Sequence, residues 1–330
     1  MSRMLHGYRL LKARLLRRSD PIVLMYHRVD EMQCDPWRLA VHPKHFAEQI
    51  DVLTKFRAVV PLSWLARELE AGRLPRKCAC LTFDDGYVDV LQNAKPVLDR
   101  FDAPATVFLT TGLIGKRREF WWDRLARILL QTQQLPKKLT IEGAGHRHEW
   151  ILGSEADDRS DRNRFHLEVW MVLRLLPDPV RDDVLTTLAN WAGHPPAARA
   201  SDRALDPSEV ATLAEPNFID IGAHSVTHPS LPSLTTERQC EEIRDSRAAC
   251  AALVRRSVDA FAYPFGEYDD STVRIAADCG VRYACATEPR AALSPRDLFR
   301  IPRLTVEDWD GAEFERRLQI GPRAFPGWDS

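Results

Sequence analysis

The chain has 330 residues, 45% hydrophobic and 28% charged, a balance suited to a globular protein with a substantial core, in one large domain or two small ones. Its formal net charge of −1 provides no overall field that would draw it to nucleic acid, so a nucleic-acid partner is not expected. No run approaches the roughly 20 apolar residues that span a bilayer.

The first 18 residues, MSRMLHGYRLLKARLLRR, carry six Lys/Arg and no acid. Leu5, Tyr8, Leu11 and Leu15 recur at helical spacing between them, which predicts a basic amphipathic helix over 1–20. Such a helix can lie on an anionic membrane surface; the same pattern fits a helix packed on the domain with its arginines in water. No apolar core and small-residue cleavage site follow, so it does not read as a secretory signal. Seven cysteines (34, 78, 80, 240, 250, 279, 285), several inside apolar runs, suit small buried hydrophobes in a reducing compartment. The expected location is cytoplasmic, with peripheral contact to the inner membrane through 1–18 as one reading.

From Pro21 onward, short apolar runs alternate with helical patterns. PIVLMYH (21–27) reads as a buried strand, followed by a helix with Phe46, Ile50 and Leu53 on one face and a strand in RAVVPL (57–62). Ser63 opens a further helix ending at Gly72. CACLTFDDG (78–86), ATVFLTT (105–111), FIDIGAHS (218–225), DAFAYPFG (259–266), RYACAT (282–287) and IPRLTV (301–306) supply more strands, with helices near 88–101, 235–256 and 269–279. The alternation predicts an α/β fold, a parallel sheet with helices outside, and this many units favour a (β/α) barrel. Segment 116–216, rich in charge and helix formers and holding five of the nine tryptophans, reads as a mostly helical insertion. The expected organisation is a barrel in two parts, 21–115 and 217–310, with a C-terminal tail over 311–330.

Parallel strands present functional residues at their C-terminal ends, where His27, Asp84, Asp85, His224 and Pro264 fall. Asp84 and Asp85 are adjacent like charges after an apolar run and need a positive partner. His224 and His228 in HSVTH, four residues apart, can share a face and reach one ion. Two histidines and a carboxylate make a catalytic zinc set with positions left for water and substrate. YPFG (263–266) makes a rigid turn able to aim a backbone N–H at the site.

TFDDG, HSVTH and YPFG, in that order, resemble the first three motifs of the polysaccharide deacetylases, the NodB-homology group or carbohydrate esterase family 4. VLMYHRV and RIPRLTV are similar to its bacterial cell-surface-polysaccharide branch. The resemblance covers about 21–115 and 216–306 and implies a distorted (β/α) barrel that removes N-acetyl groups from an amino-sugar polysaccharide; a lipid-linked precursor as substrate would suit the basic N-terminal helix. It implies Asp85, His224 and His228 as ligands of one divalent ion, zinc first, with Co, Ni or Mn as alternatives. Asp84 becomes the general base, and Tyr263, Pro264 and Phe265 the substrate-binding turn.

Two departures accompany it. The arginine that opens the family's third motif is replaced by Ala262, and Arg303 on the last strand is the substitute expected to orient Asp84. The family's late general-acid histidine has no counterpart, since no histidine follows His228; His27 is expected in that role. Both departures would also suit a non-catalytic carbohydrate-binding protein on the same fold, against which the complete metal set counts. A metal hydrolase of a non-sugar amide or ester shares the residues. His42 and His45 read as solvated, and His146 and His148 as a weak chelating pair on a hairpin. Tyr268, Trp121 and Trp122 either line the site or pack in the core.

Overall fold

The computed structural model describes residues 20–143, 146–151, 159–193, 195–215, 218–288, 293–294, 296 and 298–326. The helix expected over 1–18 lies outside the described residues. Chain order is β1 (Ile22–Tyr26), β2 (Arg28–Val29), β3 (Ala40–Val41), α1 (Pro43–Phe56), β4 (Ala58–Val59), α2 (Leu62–Glu70), β5 (Cys78–Phe83), a wide helical turn over Val90–Ala94, α3 (Lys95–Arg100) and β6 (Ala105–Leu109). Then come α4 (Trp121–Ala126), β7 (Lys138–Gly143), β8 (His146–Ile151), α5 (Arg159–Leu173) and α6 (Asp178–Ala192). The chain ends with α7 (Pro207–Leu213), β9 (Ile219–Ala223), α8 (Thr236–Val254), β10 (Ala260–Ala262), α9 (Asp270–Asp278), β11 (Tyr283–Cys285), β12 (Leu304–Thr305) and α10 (Gly311–Ile320). Among the described residues no helix is long and apolar enough to cross a membrane.

The described residues divide into two compact units, the first drawn from 20–31, 38–114 and 205–326 and the second from 32–37 and 115–204. The first is built on a parallel sheet in the order β11-β10-β9-β6-β5-β1-β12, with β4 at the start of β5. Ile301 bridges to Cys285 of β11, and β12 shortly after pairs with β1, so one final stretch reaches both sheet edges and the sheet curls into a distorted (β/α) barrel. Every residue of β1, β5 and β6 is buried. That explains why these strands read as nearly unbroken apolar runs, broken only by Thr82 and Thr106: sheet residues with helices or side chains on both faces meet no water.

The two faces hold different clusters. One packs Val23, Cys80, Phe108, Ala262 and Cys285 against Leu62, Leu65, Ala66 and Leu69 of α2. The other sets Leu24, Tyr26, Leu81, Phe83 and Val107 against outer helices, α1 among them. Pro43 starts α1, and the His42 ring accepts the Lys44 N–H as its cap, satisfying one of the orphan donors at a helix start. Phe46, Ile50 and Leu53 of α1 are fully buried, each contributing roughly 1.5–3 kcal/mol. Cys78, Cys80, Cys250 and Cys285 are buried thiols.

Two boundaries differ from the sequence expectation. Residues 205–215 belong to the first unit: the Leu205 N–H donates to Gly86 O at 2.9 Å, and Leu205, Val210 and Leu213 join its core. The expected tail contains α10, capped by Asp310, with Phe314 buried against Phe325 and Trp309 meeting Phe325 edge-on. Within the second unit, α4, α5 and α6 accompany an antiparallel β7–β8 hairpin. Trp37, 4.5 Å from Trp170, brings 32–37 into this unit. Trp121 and Trp122 are buried and stack with Phe120 and Trp170, so they fill the core of the unit and do not present faces to a sugar. The side chains of His146 and His148 lie outside the described residues.

Candidate metal centre and active site

β5 ends at Phe83, and the next two side chains are Asp84 and Asp85, each 2% exposed. The Asp84 N–H donates to Tyr26 O at 3.0 Å, extending the strand pairing by one residue. At Asp85 the backbone turns left-handed, with φ 70°, and Gly86 follows at φ 78°. A Cβ at Gly86 would lie 2.6 Å from Leu109 Cδ2, so glycine fits where the turn crosses the end of β6. Ser225 (φ 62°), His228 (φ 55°) and Phe265 (φ 58°) are also left-handed. Such residues cost about 1–2 kcal/mol each and persist where the surroundings over-determine them, which is common at functional sites.

The two carboxylates face different partners. Arg303 Nη1 donates to Asp84 Oδ1 at 2.6 Å and Nη2 to Asp84 Oδ2 at 2.7 Å, a bidentate pair with the guanidinium fully buried. The remaining Arg303 donors reach Ala286 O at 3.0 Å and Thr82 Oγ1 at 3.3 Å. Burial alone would push the Asp84 carboxyl up, but the Arg303 guanidinium, helped by His224, holds it well below the usual carboxylate range. Asp84 is therefore ionised at neutral pH, and it carries the positive partner that two adjacent acids demand.

Asp85 faces the imidazoles. Its Oδ1 lies 3.7 Å from His224 Nε2 and 3.6 Å from His228 Nε2. One ligand atom from each of Asp85, His224 and His228 falls within 4.8 Å of the others, all three residues being buried. His224 donates Nδ1–H to Ala262 O at 2.8 Å, so its Nε2 carries the lone pair and points at Asp85. Burial lowers the His224 pKa, favouring the neutral imidazole a metal requires. Ligand atoms around a tetrahedral zinc sit about 3.3 Å apart, within about half an ångström of the two carboxylate–imidazole distances here. These residues fit a divalent ion of the zinc class.

His27, at the end of β1, is half-buried and shares the electrostatic environment of Asp84, Arg303 and His224. Burial, reinforced by Arg303 and His224, pushes its pKa down to about 4 against the pull of Asp84, so the ring is neutral at pH 7. Phe265, in the turn after β10, sets its ring edge-on to His228 at 4.5 Å. Tyr263 is fully buried, donates its hydroxyl to Phe299 O at 3.1 Å and stacks on Tyr268 at 4.9 Å. Those contacts brace the turn that follows β10. Pro264 is buried as well, leaving Phe265 as the half-buried member of the three.

Sequence reasoning missed three contributors. The Ala262 carbonyl fixes the tautomer of His224, a backbone role invisible in residue identity. Arg28 donates Nε–H to Asp89 Oδ2 at 2.9 Å and lies over the Tyr87 ring at 4.3 Å. Asp89 Oδ1 also accepts the Val29 N–H at 2.9 Å. That tie joins the segment after His27 to the segment after Asp85; an arginine inside an apolar strand run was its available signal. The third is Glu242, on α8.

The polysaccharide deacetylase family model matches residues 71–143 and 183–284, more than half of the chain. The chain belongs to the polysaccharide deacetylase family. Membership makes it a hydrolase of carbon–nitrogen bonds other than peptide bonds. YxkH from Bacillus subtilis strain 168, named as a candidate polysaccharide deacetylase, is 21% identical over 286 residues, covering 86% of this chain and 70% of its own length. Among solved structures, the Streptococcus pyogenes deacetylase PplD in complex with acetate matches with TM-score 0.56 at 20% identity, over 89% of this chain and 95% of that one. IcaB from Ammonifex degensii matches with TM-score 0.58 at 17% identity, over 91% and 97% respectively. At these identities the structural likeness is one of fold.

Proposed function

We propose that this polysaccharide deacetylase is a metal-dependent enzyme that hydrolyses N-acetyl groups of an amino-sugar polysaccharide or its lipid-linked precursor. The observation that carries the reading is the convergence in one buried site of a complete three-ligand set with an ionised, arginine-held carboxylate. Asp85, His224 and His228 would hold the ion, which when bound supplies an acidified water and polarises the acetyl carbonyl.

Asp84 is the group that takes the proton from the attacking water. Both of its oxygens accept from Arg303, yet each retains a lone pair for that proton. Held so far below its usual range, Asp84 is a weak base and does not retain a proton. His27, with a pKa near 4, is the stronger base of the two and neutral at the start, so it collects the proton. It then protonates the sugar nitrogen as the C–N bond breaks, giving acetate and a free amine. Arg303 keeps Asp84 oriented and ionised throughout, and the turn at Phe265 supplies a backbone N–H to the charge developing on the acetyl oxygen.

The test is acetate release from an N-acetylglucosamine oligomer by the zinc-loaded protein and by Asp84→Asn. Release by wild type and a loss of at least about 100-fold in the variant are expected. A metal-loaded wild type that binds the oligomer and frees no acetate would instead mark a carbohydrate-binding protein.

A further inference from the structure

His224 and His228 are joined by Ser225, Val226 and Thr227, and the step between them is not relaxed. Ser225 and His228 both occupy the left-handed region, at φ 62° and 55°. One bond within the segment helps to hold that turn, the His228 N–H donating to Ser225 Oγ at 3.0 Å, and the rest of the support comes from outside it.

The peptide groups between the ligands are gripped from two sides. On one side, the Thr111 N–H donates to Ser225 O at 3.1 Å and the Gly112 N–H to Val226 O at 2.8 Å. The approach is close enough that a Cβ at residue 112 would lie 2.4 Å from Val226 O. On the other side stands Glu242 of α8, 4% exposed. Its Oε2 accepts the Val226 N–H at 2.8 Å and the Thr227 N–H at 2.9 Å, while Oε1 accepts the Thr227 hydroxyl at 2.7 Å. Three donors from consecutive residues converge on one carboxylate. An acceptor-only group with four lone-pair sites suits that demand, and bonds to an ionised acceptor are the stronger kind.

We propose that Glu242 is a positioning residue for the metal centre. By fixing Val226 and Thr227 from the helix side, it sets the separation and orientation of His224 and His228 and so preorganises the ligand set. This rests on the metal reading of the site. Outer-shell groups of this kind typically change metal affinity 10- to 100-fold when removed.

The experiment measures the zinc dissociation constant of the full chain by competition with a chromophoric chelator, with far-UV circular dichroism of the metal-free protein alongside. Glu242→Ala should weaken zinc binding about 10- to 100-fold with the secondary structure retained. Glu242→Gln should restore affinity to within several-fold of wild type. Its amide oxygen can take the two N–H groups, and its NH₂ can donate to a Thr227 hydroxyl turned acceptor. Ser246→Ala, a fully buried α8 position that bonds only its own helix at Ile243 O, should leave zinc affinity unchanged.

Unchanged affinity in a folded Glu242→Ala, or an equal loss in Ser246→Ala, overturns the proposal while leaving the metal reading intact. Should Glu242→Ala fail to fold, Thr227→Val decides: a loss of about two- to tenfold is expected for one such bond, and an unchanged constant overturns the idea. A wild-type chain that binds no zinc overturns the metal reading and this inference with it.

Discussion

Replacing Arg303 by methionine removes the cation that faces Asp84 and leaves a side chain of similar volume. In the native site the pair is buried on both sides, with contacts of 2.6 and 2.7 Å and side-chain exposures of 0% and 3%. Breaking a buried pair from one side costs about 3–5 kcal/mol, since the surviving charge is left without compensation. At about 2 °C per kcal/mol, the metal-free variant should melt roughly 6–10 °C below wild type at pH 7. The pH dependence separates this cause from simple loss of packing. In wild type, Asp84 sits below its usual range and stays ionised from pH 7 to about 5 in both folded and unfolded chains, so its contribution is flat there and declines only below that as the unfolded chain takes up protons. In the variant, burial dominates and the Asp84 pKa rises above its unfolded value, so the destabilisation lessens as pH falls and the group protonates. His27 acts in the same direction: without the Arg303 cation its pKa climbs from about 4, easing its own acid-side cost. The melting gap should therefore narrow between pH 7 and about 4, by at most about 1.4 kcal/mol per pH unit for each group. Thermal unfolding followed by circular dichroism measures it. A gap that is absent at pH 7, or constant down to pH 4, refutes the role assigned to the pair.

Division of the two carboxylates predicts opposite outcomes for adjacent residues. Asp85→Ala and His228→Ala should retain little metal after dialysis against buffer, whereas Asp84→Asn should retain it and lose at least about 100-fold in acetate release; metal analysis of the purified proteins distinguishes them. His27→Gln should keep the metal and lose about 10²- to 10⁴-fold in activity, and a rate within a few-fold of wild type would remove His27 from the relay. Gly266→Ala should be costly, since at φ 70° its Cβ would fall 1.6 Å from Thr287 Oγ1: about 2–5 kcal/mol from backbone and overpacking together. Gly72→Ala, at φ 72° with nothing near its Cβ, should cost only the backbone share of about 1–2 kcal/mol. Equal melting points for these two glycine variants would contradict that account.

The barrel was legible because its strands are covered on both faces: β1, β5 and β6 are nearly continuous apolar runs, each ending at a residue the site uses or supports. His224 and His228 were legible for the same reason, two polar rings placed just beyond such a run. Contacts between distant segments were not. Trp37 packs on Trp170 across more than 130 intervening residues, and no local periodicity records that 32–37 joins the second unit. Glu242 lies in a helix rich in charge, TERQCEEIRDSR, where nothing in sequence separates a buried acceptor from its solvated neighbours Glu237 and Glu241. The burial of Tyr263 was not legible, because a residue within YPFG looks equally exposed whether it lines the site or backs the turn. The helix in 311–320 had its signals, Asp310 three residues before Glu313 and Phe314 four before Leu318, but it lay beyond the stretch that the family motifs cover.

The adjacency of Asp84 and Asp85 would be a liability on an ordinary strand, where consecutive side chains point to opposite faces and one acid enters the core alone. The left-handed turn at Asp85 removes that problem by swinging its side chain back toward the mouth. His224 Nε2 then lies 4.0 Å from Asp84 Oδ2 and 3.7 Å from Asp85 Oδ1, so one imidazole stands between the two acids. The repulsion that remains is met from opposite sides, by a permanent cation on Asp84 and by imidazoles that can share an ion on Asp85. An arginine cannot be deprotonated and cannot leave, so Asp84 stays charged whether or not metal is bound. The electrostatics of Asp85 alone depend on the ion. A site wired this way keeps its proton acceptor ready in the metal-free protein, and adding zinc should change the titration of Asp85 and its histidines far more than that of Asp84. Carboxyl chemical shifts of the two aspartates, followed through a pH titration with and without zinc, test that separation; an Asp84 pKa that moves as far as that of Asp85 would show the two acids to be one coupled group.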